Sequence, residues 1–175
     1  MYTIFQIFLG FFLGFVIANF VEWNIHKYVL HAMGKKKGSY WRAHWSRHHK
    51  RTRKGDYVDT DYQQPFWFKH RQAEVLGLAL IVLCNAPFAA LLLIWWPIFS
   101  ISYFLTIIGY VFLYYFIHKY SHINAAWGKK WIPWHYDHHR GRDQDQNWNV
   151  VFPLWDYILG TRIKYKYDSN GKVIK

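Results

Sequence analysis

The sequence predicts an all-α integral membrane protein, with about three transmembrane helices (one N-terminal span plus a helical hairpin) and a cytoplasmic, helical, histidine-rich metal-binding cap. Three observations point there. Of 175 residues, 53% are apolar and 22% aromatic, too greasy for an ordinary soluble domain of this length. The formal charge is nevertheless +12, and the basic residues never interrupt the long apolar runs. Finally, all of the 11 histidines except His70 fall into four tight groups beside the ends of those runs.

A strongly basic, aromatic chain fits either nucleic acid or an anionic membrane surface. The distribution decides against nucleic acid, because topology accounts for the basic stretches and apolar spans have no use there. The first run, Thr3 to Val21, holds Gln6 and Asn19 as its only strongly polar members. It lacks the basic n-region and the small-residue cleavage site of a signal peptide, so a retained helix over residues 3–25 is expected.

The second run, Val75 to Ile117, contains no Asp, Glu, Lys, Arg or His. As one straight helix it would be about 65 Å long, roughly twice the hydrocarbon core of a bilayer. Two crossings are therefore expected, over 75–96 and 98–118, turning at Pro97 behind the Trp95-Trp96 pair that suits an interface belt. Pro87 is expected to kink the second helix. Residues 1–175 read as one membrane-embedded domain.

Every one of the 22 Lys and Arg residues lies between Lys27 and Arg71 or beyond Ile117. The positive-inside rule then puts the N-terminus outside and both polar segments, the C-terminus and the histidines on the cytoplasmic side.

The histidine groups have helical spacing. Pro133 suits a helix start, and His135, His138 and His139 follow at i, i+3 and i+4, roughly on one face. His118 and His122 are one turn apart where the third span leaves the bilayer. His44 and His48 are also one turn apart, with His49 displaced to the side, among basic residues that also suit lipid headgroups. His26 and His31 are five apart, roughly 140° around a regular helix, so they share a site only if the helix distorts or two metals lie between them. His70 reads as a surface residue. Ten imidazoles exceed the needs of one ion, and two metals with four or five nitrogens each fit the count. With Cys84 as the one cysteine, an intrachain disulfide is excluded, and thiolate ligation or a protein-held iron–sulfur cluster is not expected.

His-x4-His, His-x3-His-His, His-x3-His and His-x2-His-His, in this order and split by a membrane hairpin, resemble the fatty acid hydroxylase and sterol desaturase superfamily. Residues 147–161, with Pro-Leu-Trp-Asp and Gly-Thr, are similar to the segment that follows the last histidine box there. Ile25 to His31 also resembles the first box of bacterial carotene hydroxylases. The resemblance covers most of residues 22–161. It implies a membrane-bound non-haem di-iron monooxygenase that hydroxylates a C–H bond of a fatty-acyl or sterol-like lipid. By position the ligands would be His26, His31, His44, His48, His49, His118, His122, His135, His138 and His139. Two iron ions are the expected cofactors, with zinc an occupant after purification, and O2 is the co-substrate. Because no reductase or haem-binding segment is visible, an external electron-transfer protein is the expected partner beside the lipid. The same metal centre would also serve a lipid desaturase or a carotenoid hydroxylase. A non-catalytic membrane metal-binding protein is the alternative of another class.

Imidazole ligands need partners that orient them. Glu22, one turn before His26, has two readings: acceptor of a ligand imidazole's proton, or a solvated helix end. Asp137 and Asp156 are weaker candidates for the same orienting role, since Asp137 points away from the His135 face and reads equally as exposed. Asp156 is expected to bond the Gly160-Thr161 turn, and Asn147 and Asn149 read as loop residues. With three spans where relatives commonly have four, a homo-oligomer is expected to complete the substrate cover.

Overall fold

The computed structural model describes residues 1–174, and among these the chain is helical, with one isolated antiparallel bridge between Tyr167 and Val173. Helix α1, Tyr2–Asn24, continues unbroken as a π-helix over Ile25–Met33. A second π-helical stretch, His44–His49, leads into α2, Lys50–Lys54. The hairpin is α3, Gln72–Trp95, and α4, Pro97–Ile123. Three short helices follow: α5, Ala125–Trp131; α6, Pro133–Arg140; and α7, Leu154–Ile158.

Three helices are long and apolar enough to cross a membrane: Tyr2–Met33, Lys69–Trp95 and Pro97–Ile123. The hairpin turns at the expected place. Trp96 adopts φ −135° and ψ 69°, outside the helical region as a residue before proline prefers, and Pro97 starts α4. Within α3 the helix runs through Pro87, and Asn85 just before it donates to the Ile81 carbonyl at 2.7 Å. The helices overrun the apolar stretches expected from sequence, most clearly at the histidine-bearing ends. Hydropathy stops at the first polar residues, whereas the helices continue because those residues are buried.

The membrane core is a seam between α1 and α4. Gly10, Gly14 and Ala18 form a small-residue ridge at four-residue spacing, which lets the two backbones approach closely. A Cβ on Gly10 would lie 2.7 Å from the Phe99 carbonyl, and one on Gly14 would lie 2.8 Å from that of Tyr103. On α4, Tyr103, Ile107, Tyr110, Tyr114 and His118 make one buried stripe at helical period. Polar groups in the seam pair with one another, as hydrocarbon demands. Asn19 Nδ2 donates to Tyr110 Oη at 2.7 Å and to the Phe152 carbonyl at 2.9 Å. Outward-facing Phe8, Phe12, Leu91, Leu105 and Phe116 remain exposed, ready for lipid.

A Gly10→Ala, Gly14→Ala double variant must push α1 off α4, a cost of about 1–3 kcal/mol typical of overpacking. Its thermal unfolding midpoint in detergent is expected to fall. Gly109→Ala, where a Cβ would meet nothing within 4 Å, is expected to hold or raise the midpoint.

Candidate metal centre

All ten boxed histidines converge where the three long helices meet the folded loops, and each is 6% exposed or less. They sort into two abutting groups. In the first, one nitrogen from each of His26, His31, His44, His49 and His138 lies within 4.8 Å of the others. In the second the same holds for His48, His118, His122 and His139. His135 borders the second group, its Nε2 3.1 Å from that of His122. His70 belongs to neither and packs edge-on to Phe68 at 5.2 Å between ring centres.

Backbone irregularity makes this gathering feasible. Residues five apart diverge on an α-helix but come onto one side where the backbone closes i→i+5 bonds. Both histidine pairs with that spacing lie in π-helical stretches, and their rings approach to 5.0 Å for His26 and His31 and 4.9 Å for His44 and His49. Of the two ways for His26 and His31 to share a site, the helix distortion is therefore present.

The ring orientations follow one rule. Seven Nδ1 atoms meet an oxygen on the outside of the cluster. His26, His122 and His138 meet the backbone carbonyls of Trp148, Tyr57 and Gln146 at 2.5, 3.0 and 2.6 Å. His31, His48 and His118 meet the carboxylates of Asp145, Asp59 and Glu74 at 3.2, 2.9 and 2.5 Å. His139 meets Thr52 Oγ1 at 3.1 Å, and that hydroxyl donates onward to the carbonyls of His48 and His49. A carbonyl or carboxylate accepts, so each such Nδ1 carries the proton and Nε2 is left as a bare lone pair. Burial holds His44, His49, His135 and His139 well below the usual histidine range and His138 down to about 3, which keeps these rings neutral.

The Nε2 atoms then face one another. Separations are 3.2 Å for His26 and His44, 3.0 Å for His31 and His49, 3.3 Å for His49 and His138, and 3.2 Å for His118 and His122. Where both nitrogens are bare, as in His118 and His122, lone pairs so close repel unless a cation lies between them. Two nitrogens each about 2.1 Å from one ion would be about 3.0 Å apart at a right angle and about 3.4 Å apart at a tetrahedral angle. The residues therefore fit metal ions, and among the described residues neither group includes a carboxylate or thiolate.

The family model for fatty acid hydroxylases matches residues 11–161. The chain belongs to the fatty acid hydroxylase family. No curated protein and no solved structure matches it. Its membership and its apolar helices make this hydroxylase-family chain an integral membrane protein.

Several sequence expectations change here. His48 and His49 part company, one to each group, and so do His138 and His139. His49, not His48, joins His44, because the π-turn brings i+5 around. Glu22 is neither solvated nor bonded to an imidazole. It is 2% exposed, and its carboxylate accepts from Tyr110 Oη and from the Val150 N–H. Asp137 does point away from the cluster but is 4% exposed, accepting from Arg162 at 2.8 Å and Tyr167 at 2.9 Å. Asp156 takes Thr161 Oγ1 at 2.7 Å and the N–H groups of Trp148 and Asn149, both at 2.8 Å. Through Trp148 it positions the carbonyl that orients His26. Asn147 and Asn149 are loop residues, bonded to Ile163 and to the Asn19 carbonyl.

The outer partners Asp59, Glu74, Asp145 and Thr52 escaped sequence reading. Glu74 left one signal, a carboxylate on the edge of an apolar run, where it is costly without a partner. It is 5% exposed and is also bonded by Arg71. Burial opposes the charge of Asp59, but bonds from His48 and Arg51 outweigh it and hold its carboxyl at about 2. Strained backbone marks two other supports. Tyr57 has φ 74° and offers its carbonyl to His122, and Asn147, at φ 57°, lies between the carbonyls serving His138 and His26.

Asp59→Asn and Glu74→Gln are expected to weaken divalent-metal retention about 10–100-fold, as losses of such orienting partners commonly do. Chelator competition measures this. Unchanged retention in both would show that these carboxylates do not orient ligands.

Proposed function

We propose that the protein is a non-haem di-iron monooxygenase that hydroxylates a C–H bond of a fatty-acyl or sterol-like membrane lipid. O2 is the co-substrate, and electrons come from an external electron-transfer protein. The observation that carries this reading is the pair of buried all-imidazole groups at the ends of three membrane-crossing helices. His26, His31, His44, His49 and His138 would hold one iron; His48, His118, His122, His139 and His135 would hold the other.

Imidazole suits iron, zinc, copper and nickel alike. The family supports iron, and zinc recovered on purification would occupy the same nitrogens. A bound iron pair supplies activation of O2 against an unactivated C–H bond, for which acid–base groups have no purchase. The chain's own contribution is arrangement. Outward Nδ1–H bonds fix seven of the ten rings, and Trp148, 2% exposed and edge-on to His31 at 4.8 Å, covers the first group against water. Glu22 and Asp156 grip the 148–150 backbone, so that the cover and the His26 support move as one piece.

Protein made in iron-supplemented medium is expected to hold about two metals per chain, and a His138→Ala, His139→Ala variant to lose most of them. With a reductant and 18O2, the parent is expected to place labelled oxygen in lipid. A parent without metal, or with metal that the variant keeps, overturns the reading. Loss of two hydrogens without oxygen gain would make it a desaturase.

The basic distribution supports an outside N-terminus with the histidines in the cytoplasm. In a Cys84→Ala background, an impermeant maleimide added to intact cells is expected to label Trp96→Cys and spare Lys36→Cys. The reverse pattern overturns this orientation.

A further inference from the structure

We propose that a lipid acyl chain reaches the histidine groups sideways from the bilayer, through the cleft between α3 and α4, and that Leu78 is its gate. This rests on the lipid-hydroxylase reading and supplies the route that the reading lacks. Two cavities carry it. On the outer side, Val75, Ala79 and Val82 of α3 face Val111, Phe112 and Tyr115 of α4 across a groove of about 260 Å³. The three α3 positions fall at helical spacing and make one wall. Tyr115, which lines the groove, is less than one turn from His118 along α4.

On the inner side is a second, much narrower gap between α1, α3 and α4. His26 itself lines it, together with Glu22, Gly77, Ile81 and Tyr114. Among the described residues, Leu78 is the one side chain that lines both cavities. It is 8% exposed, a single branched side chain standing between the membrane-facing groove and a wall containing a histidine of the first group. A leucine can swing between rotamers without moving the backbone.

The wall beyond the gate can yield. Gly77 has no side chain there, and a Cβ at that position would meet nothing closer than Ile25 Cγ2 at 3.5 Å and Leu30 Cδ2 at 3.8 Å. Those neighbours are flexible side-chain ends, not backbone. On the outer side the α4 wall of the groove is firmer, because Arg71 lies over the ring of Tyr115 at 5.2 Å.

The occupant follows from the lining. The groove is built from hydrocarbon and aromatic side chains, offers nothing to a charged headgroup, and opens on helix faces that meet lipid tails. A saturated hydrocarbon chain fits that chemistry. Its headgroup would stay at the polar end, beyond Phe66, which is 49% exposed over the groove's rim.

The test uses the metal-loaded protein in lipid nanodiscs with a saturated fatty acid bearing a terminal diazirine, photolysed and mapped by peptide mass spectrometry. The parent is expected to carry label on Ile81 or Tyr114, both buried from lipid. Leu78→Trp is expected to reduce that label at least fivefold while label on exposed Phe116 and metal content stay constant. Ala79→Phe, which fills the half-buried groove from the lipid side and spares the core, is expected to do the same, so misfolding of the first variant does not decide the matter. Absence of inner label in the parent, or its persistence in both variants, overturns the proposal and leaves only annular lipid in the groove. If gated inner label appears but no oxygenated lipid ever forms, the hydroxylase reading fails and the passage stands. If both variants form product at the parental rate, the passage fails and the hydroxylase reading stands.

Discussion

Ten buried imidazoles, seven of which turn an Nδ1 outward to an oxygen, set the condition that the rest of this chain satisfies. Each buried Nδ1–H that points outward needs an acceptor, because an unpaired donor away from water is costly. The chain supplies acceptors from every available source: the carboxylates of Asp59, Glu74 and Asp145, the hydroxyl of Thr52, and the carbonyls of Tyr57, Gln146 and Trp148. These acceptors are held in turn, Asp59 by Arg51, Glu74 by Arg71, and Trp148 by Asp156. The result is concentric layers in which a basic surface arginine can act on a central nitrogen through one carboxylate.

That condition explains the irregular backbone. An α-helix cannot bring residues five apart to one side, so the chain adopts π-helical geometry at both such histidine pairs. Positive φ at Tyr57 and Asn147 is a second concession, made where a carbonyl has to face a ring. Regular geometry is given up close to the cluster and kept elsewhere.

The membrane seam serves the same end. Gly10, Gly14 and Ala18 draw α1 against α4, so that His26 and His31 on one helix and His118 and His122 on the other arrive close together. A carboxylate such as Glu22 in a spanning helix is expensive, and bonds from Tyr110 and Val150 offset the cost while tying the C-terminal segment to the bundle. The Pro-Leu-Trp-Asp segment gains a physical meaning here: Trp155 Nε1 donates to the Val16 carbonyl at 3.0 Å, and Asp156 caps the backbone that presents Trp148 to His26.

The sequence by itself determined the number of long apolar helices, the hairpin at Pro97 and the four histidine groups at helix ends. Each of these is a local property, read from hydropathy, from proline or from spacing along one segment. The tertiary structure decided what depends on residues distant in the chain. His48 and His49, neighbours in sequence, point into different groups, and His138 and His139 do likewise. Glu22 looked like a partner for His26 one turn away, yet it bonds Val150, and the partner of His26 is the Trp148 carbonyl. Spacing along a helix says which side chains share a face, but the carbonyl or carboxylate facing a given ring is supplied by another segment, and only the packing of the segments brings the two together.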